Sequence, residues 1–160
     1  MRTPEEKEKA RRIGYITENL VKEYLEEAGY VNVKLSEDKY DSVKDITAEY
    51  NGQLINIECK ARTQVRKFNM AFPLEKSQWN KADNAKLFFI SMPDSYNNFK
   101  VDIYESNGEE YTVEQFGPTN MSQKPTRMYR PALMNKVKSI TDSSTINLLT
   151  NLNFSKNKNV

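Results

Sequence analysis

The 160-residue chain has no histidine and one cysteine, Cys59. Catalysis by Ser-His-Asp or Cys-His sets is excluded at once, as are an internal disulfide and zinc sites built on paired thiolates or imidazoles. No apolar run approaches the roughly 20 residues of a membrane span, and the opening Met1-Arg2-Thr3-Pro4-Glu5-Glu6 lacks the hydrophobic stretch of a secretory signal. The expectation is a soluble, cytoplasmic protein with no membrane partner. No internal repeat is found, and no Gly/Pro-rich linker divides the chain. With 38% apolar residues and 17 aromatics spread along it, the composition suits one modest core. We expect a single domain over residues 1–152 and a flexible tail over 153–160.

The chemistry that remains belongs to carboxylates, lysines and a hard metal ion. The net charge of +2 hides a division, because residues 1–58 carry 9 basic and 13 acidic side chains while residues 59–160 carry 15 and 9. Residues 59–74 hold Lys60, Arg62, Arg66 and Lys67 without an acid. Residues 115–141 hold Lys124, Arg127, Arg130, Lys136 and Lys138, also without one. Acid-free basic stretches suit a polyanion.

Thr3-Pro4-Glu5-Glu6 combines an N-cap threonine, proline at the first helical position and a capping-box glutamate. It predicts a helix running to Gly29, with Ala10, Ile13, Ile16, Leu20, Val21, Tyr24, Leu25 and Ala28 as its apolar stripe. Residues 30–35 alternate as a strand, and 36–42 read as a loop. Asn51-Gly52 between two β-type runs predicts a two-residue hairpin. Cross-strand partners then have numbers summing to about 103, so Asp45 faces Glu58. Strand alternation puts Asp45, Thr47, Glu49, Leu54, Asn56, Glu58 and Lys60 on one polar face, and Ile46, Ala48, Tyr50, Ile55, Ile57 and Cys59 on a core face. Beyond Lys60 we expect an extended basic stretch to about residue 67, then a helix over about 75–85. A buried strand over 87–92 and a second hairpin pairing 99–105 with 110–116 follow. Residues 117–131 are expected to be irregular, and 142–152 to form a helix.

Opposed carboxylates on a hairpin repel unless a cation lies between them. Magnesium, held by Asp45, Glu58 and a few waters, resolves the repulsion. Lys60 on the same face then neutralises charge on a phosphate or on attacking hydroxide. Cys59 falls on the apolar face and reads as a packed small hydrophobe.

Asp45-Ile46-x-Ala48, Gly52 and Ile57-Glu58-Cys59-Lys60-Ala61-Arg62 resemble the core of the PD-(D/E)xK nuclease superfamily, most like archaeal-type Holliday junction resolvases and Mrr-like restriction endonucleases. Arg11-Arg12-Ile13-Gly14-Tyr15-Ile16-Thr17-Glu18 is similar to the first helix of those families, so the likeness spans residues 8–92 and leaves 93–152 as an extension. The resemblance implies an α/β fold with a restriction-endonuclease-like mixed central β-sheet flanked by helices. It implies Asp45 and Glu58 as metal ligands, the Cys59 backbone carbonyl as a third, Lys60 as catalytic lysine and Glu18 as an aid to metal or water. The metal is Mg2+, with Mn2+ as substitute, and no small-molecule cofactor is expected. The expected activity is DNA endonuclease, junction-resolving or restriction-like, acting as a homodimer. A non-catalytic nucleic-acid-binding module and an RNA-directed nuclease are the alternatives. Arg11, Arg12, Arg62, Arg66, Lys67, Lys76, Gln78, Lys124, Arg127 and Arg130 are the expected nucleic-acid contacts.

Overall fold

A computed structural model describes residues 3–36, 45–114 and 125–154. The first helix, α1 (Pro4–Glu27), starts as the sequence predicts: Thr3 accepts from the Glu6 N–H while the Glu6 side chain accepts from the Thr3 N–H. Such a cap contributes about 1 kcal/mol. Gly29, at φ +97, takes the chain out of the helix in a conformation that other residues adopt only with strain. Val21 and Leu25 are fully buried, with Ile13, Ile16, Leu20 and Tyr24 packed around them. Ala28 is exposed, so the stripe ends a turn early. Thr17 is buried within the stripe because its hydroxyl donates to the Ile13 carbonyl at 2.8 Å, which satisfies it locally.

Strands β1 (Val31–Leu35), β2 (Ile46–Tyr50) and β3 (Gln53–Arg62) form an antiparallel set. Asn51 and Gly52 turn at φ +52 and +78, the pair of positive values that a tight hairpin needs. The register is Ile46 with Ile57, Ala48 with Ile55 and Tyr50 with Gln53, as the turn chemistry dictates. The chain continues through β4 (Phe72–Glu75), α2 (Trp79–Asp83), β5 (Lys86–Ser91), β6 (Val101–Glu105), β7 (Glu110–Val113), β8 (Thr126–Tyr129), β9 (Asn135–Ile140) and α3 (Ser143–Phe154).

Two sheets result. The central one has the order β1-β2-β3-β5-β6-β9 and is mixed, since β3 and β5 run parallel and every other pair is antiparallel. The other is the antiparallel β4-β8-β7. Side chains alternate across the central sheet. Ile46, Ala48, Ile57, Phe88, Ile90 and Ile103 join Val21, Leu25 and Leu149 in a core beneath α1 and α3. Leu87, Phe89 and Tyr104, on the other face, join Phe72, Leu74, Tyr129 and Met134 beneath the small sheet and α2. The Phe72 and Phe89 rings stack 5.0 Å apart and bind one sheet to the other. The molecule is thus α/β, with a mixed central sheet flanked by helices.

The second hairpin predicted between 99–105 and 110–116 does not form. β6 pairs with β5 and β9, whereas β7 pairs with β8. Alternation marks a strand without naming its neighbour, and a β6 buried at Val101, Asp102, Ile103 and Tyr104 needs a strand on each side. The helix expected over 75–85 is shorter, a 3-10 turn Lys76–Gln78 followed by the five residues of α2. Phe72-Pro73-Leu74 and residues 126–129 pair as strands, with Pro125 and Pro131 bracketing β8 instead of abolishing it. α3 begins as predicted, with the Asp142 carboxylate accepting from the Thr145 N–H at 3.0 Å. Most of the expected 36–42 loop, residues 117–124 of the expected irregular segment and residues 155–160 of the expected tail lie outside the described residues. No helix among the described residues is long and apolar enough to cross a membrane.

Candidate active site

The polar face of the hairpin becomes a site because β2 and β3 have different lengths. β2 starts at Ile46, but β3 runs on to Arg62 with β5 along its other side. Asp45 stands at the mouth of β2, where β3 loses that neighbour. Its N–H donates to the Ile57 carbonyl at 3.1 Å and its own carbonyl accepts from the Ser36 N–H at 2.8 Å. Its Oδ2 accepts the Cys59 N–H at 2.9 Å, so the side chain takes the place of the missing strand. In an extended strand the N–H and C=O of one residue point to the same side. The Cys59 carbonyl therefore also faces the Asp45 edge.

Glu58, one residue beyond the last β2–β3 pair and within reach of the Asp45 charge, is buried to 2% exposure. Its Oε2 lies 3.0 Å from the Lys60 Nζ, while its Oε1 is buried with no hydrogen-bond partner among the described residues. An orphaned carboxylate oxygen is costly in a folded interior. Burial, and then the Asp45 charge, raise the Glu58 carboxyl above the ordinary range, with Lys60 opposing. Lys60 also donates to Gln78 Oε1 at 2.6 Å, so its ammonium sits between a carboxylate and an amide.

Glu18 joins this group from α1. Burial first, and then the charges of Asp45 and Glu58, push its carboxyl up to about 7, with Lys60 pulling the other way. Lys22 does not neutralise it, being paired with Glu26 at 2.9 Å. Gly14 lies beside it, and a Cβ there would meet Glu18 Oε2 at an ordinary 3.8 Å. Glu18, Asp45, Glu58 and Lys60, which are separated in sequence, thus share one electrostatic environment.

The donor set fits a hard divalent cation: carboxylate oxygens, a backbone carbonyl on the same edge and an unsatisfied Oε1. Among the described residues no group of three or more His, Cys, Asp or Glu side chains is placed to hold a metal ion. Magnesium does not require one, since it keeps several waters and takes one or two carboxylates. Cys59 belongs to the core beneath α1, and burial raises its thiol well above normal, so the sulfur is inert packing.

The expected nucleic-acid contacts divide into two groups. Arg66, Lys67 and Lys76 are exposed, and Arg12 is exposed on α1 next to Arg11, which pairs with Glu8. The others have structural partners. Arg62 reaches Glu75 at 3.1 Å and the Pro73 carbonyl at 3.3 Å, tying β3 to β4. Arg127 forms a two-pronged pair with Asp83 at 2.7 and 3.1 Å and lies 4.5 Å from the Trp79 ring centroid. Its bonds hold the Asp83 carboxyl below the usual range. Arg130 covers the Tyr111 ring at 4.5 Å. Lys136 and Lys138 meet Asp102 at 3.9 Å and Glu27 at 2.7 Å. The 115–141 stretch is acid-free along the chain, yet folding brings acids from other elements to it. Lys124 lies outside the described residues.

Gln78, expected at a phosphate, faces Lys60 instead. Lys81 was not singled out from the sequence, although it stands three residues after Gln78 and its charge acts on Glu58. The i, i+3 spacing from Gln78 was the available signal. Comparison with protein-family models, curated proteins and solved structures gave no match.

Proposed function

We propose that the chain is a magnesium-dependent DNA endonuclease that hydrolyses phosphodiester bonds on a restriction-endonuclease-like fold, with manganese able to substitute. The observation that carries this reading is the buried Glu58, whose Oε1 has no partner among the described residues, close enough to Asp45 to feel its charge and with Lys60 on its other oxygen. A binding module gains nothing from an orphaned carboxylate beside two other acids. The resemblance of 45–62 to PD-(D/E)xK nucleases, and within them to Holliday junction resolvases and Mrr-like enzymes, supports the same activity.

In this reading Asp45, Glu58 and the Cys59 carbonyl hold the ion, which supplies a water of lowered pKa and charge for the scissile phosphate. Lys60, fixed by Glu58 and Gln78, directs its ammonium at the anionic phosphate oxygens. Glu18, with a carboxyl near 7, can accept or return a proton close to neutral pH. Arg66, Lys67 and Lys76 are exposed cations for flanking phosphates. The resemblance further implies a homodimer, which would place one such site on each strand.

The test is a cleavage panel of duplex DNA, four-way junctions, flaps, single strands and RNA, with magnesium and with chelator. Cleavage of a DNA substrate that needs magnesium and disappears in Asp45→Asn and Lys60→Ala supports the reading. Absence of metal-dependent cleavage on every substrate refutes it.

A further inference from the structure

The turn after β5 holds two aromatic rings in water, and its backbone is strained where one of them is attached. Asp94, only 7% exposed, accepts from the Tyr96 and Asn97 N–H groups at 2.9 and 3.3 Å. Asn97 returns the bond to the Asp94 N–H at 2.9 Å and donates to Ser91 Oγ and the Met92 carbonyl at 3.1 and 2.9 Å. The Phe99 N–H closes the turn on the Asp94 carbonyl at 2.8 Å. Tyr96 and Phe99, held by this network, are 54% and 47% exposed.

Asn98 and Phe99 have φ of +55 and +53, the left-handed region. Asparagine visits it readily, whereas a bulky aromatic there is an outlier that the surroundings must enforce. A buried ring would offset that strain by its packing. Phe99 stands about half in water, so its packing offsets that strain only in part.

The surroundings are cationic. The Arg66 guanidinium lies 5.3 Å from the Tyr96 ring centroid and its Nη1 is 3.3 Å from the Tyr96 hydroxyl. Lys67 and Lys100 are exposed, and neither they nor Arg66 form an ion pair among the described residues. Arg66 follows Lys60 by six residues, a span of at most about 20 Å along an extended chain. The rings are therefore within a few nucleotides of the carboxylate site.

We propose that this turn is a stacking platform for unpaired nucleotides, with bases of a single-stranded or splayed segment on Tyr96 and Phe99 and adjoining phosphates on Arg66, Lys67 and Lys100. The reasoning is chemical. Every base has a face that can stack on an aromatic ring, but in a closed duplex those faces are already taken by neighbouring bases. Exposed rings beside cations that form no ion pair among the described residues suit a strand that brings both flat surfaces and negative charge. The inference rests on the nuclease reading and selects, within it, substrates that carry an unpaired segment.

The experiment measures binding of a labelled DNA single strand, and of the same strand in a full duplex, in the presence of chelator. Tyr96→Ala and Phe99→Gly should each weaken single-strand binding about tenfold and change duplex binding less than about twofold. Phe99→Gly should also match or exceed the thermal stability of the parent chain, because glycine adopts φ +53 without strain. Unchanged single-strand affinity, equal losses on both substrates, or a Phe99→Gly chain that binds poorly because it unfolds would overturn the platform and leave the exposed rings to a protein partner. Failure of the nuclease reading looks different: the parent chain would then cleave no substrate in magnesium, whether or not it binds the single strand.

Discussion

Replacing Glu18 by glutamine should stabilise the metal-free protein while destroying its activity. The Glu18 carboxyl is raised from 4.5 to about 7, chiefly by burial and then by Asp45 and Glu58. Between those two values the folded chain holds a proton that the unfolded chain has released. Stability therefore falls as pH rises through the window, and above about 7 the full cost of the ionised form is present. Such an elevation corresponds to about 3 kcal/mol, which partial exposure of the side chain to water reduces to about 1–2 kcal/mol. For a chain of this size the gain from Glu18→Gln is about 2–6 °C in Tm. The assay is thermal unfolding in chelator at pH 8 and at pH 5. The gain should appear at pH 8 and shrink at pH 5, where the folded parent already carries the proton and glutamine merely mimics it. Added magnesium should raise the parent's Tm more than the variant's, closing the gap. Destabilisation at pH 8, or an equal gain at both pH values, would refute the placement of Glu18 beside the other two acids.

Asp45→Asn should abolish magnesium-dependent cleavage while leaving DNA affinity unchanged or tighter, because a ligand and a negative charge facing the phosphate go together; single-turnover rates beside binding titrations check it. Gln78→Ala should lower the single-turnover rate about tenfold with little change in affinity, since it frees the Lys60 ammonium without removing a phosphate contact, and Gln78→Glu should not restore it because a fourth acid then joins the site. Arg127→Ala should cost about 1–2 kcal/mol in urea unfolding through loss of its paired bonds to Asp83 and its cover over Trp79. It should leave the salt dependence of DNA binding unaltered; a salt slope reduced by about one would instead return Arg127 to the phosphate contacts.

The parts of the fold that were legible in the sequence are those fixed by short-range chemistry. Thr3, Pro4 and Glu6 act within one turn, and Asn51-Gly52 sets the register of ten residues because a two-residue loop admits a single pairing of its strands. The observed pairing ends at Ile46 with Ile57, and Asp45, just before it, bonds the Ile57 carbonyl and the Cys59 N–H, beside Glu58 and Lys60. The long-range pairings were not legible. β6 and β7 read as hairpin partners since only four residues separate them, and their true neighbours are chosen by which apolar faces need cover. The charge of 115–141 has partners that were hidden for the same reason. A count along the chain cannot see that Glu27, Asp83 and Asp102 fold against it.

The candidate site was partly legible for a reason that lies in its energetics. A core position announces itself by pattern, but a buried acid contradicts the pattern, and the contradiction is the signal. The hairpin register, extended one step past Ile46 and Ile57, sets Asp45 near Glu58, and two acids so close read as costly from the chain alone. What could not be read is how fully Glu58 is enclosed, since that depends on β4, β8 and α2 closing over the face that alternation had marked as polar. The same closure explains Gln78. It lies on the 3-10 turn that precedes α2, and α2 is held against the small sheet by Arg127 on Asp83 and Trp79, while the Trp79 Nε1 donates to the Leu74 carbonyl at 2.8 Å. Arg127, in the cationic segment expected to grip a substrate, is paired within the fold to the element that follows Gln78. Charge far from the carboxylates thus bears on them through packing, and the prediction for Arg127 turns on that distinction between a brace and a grip.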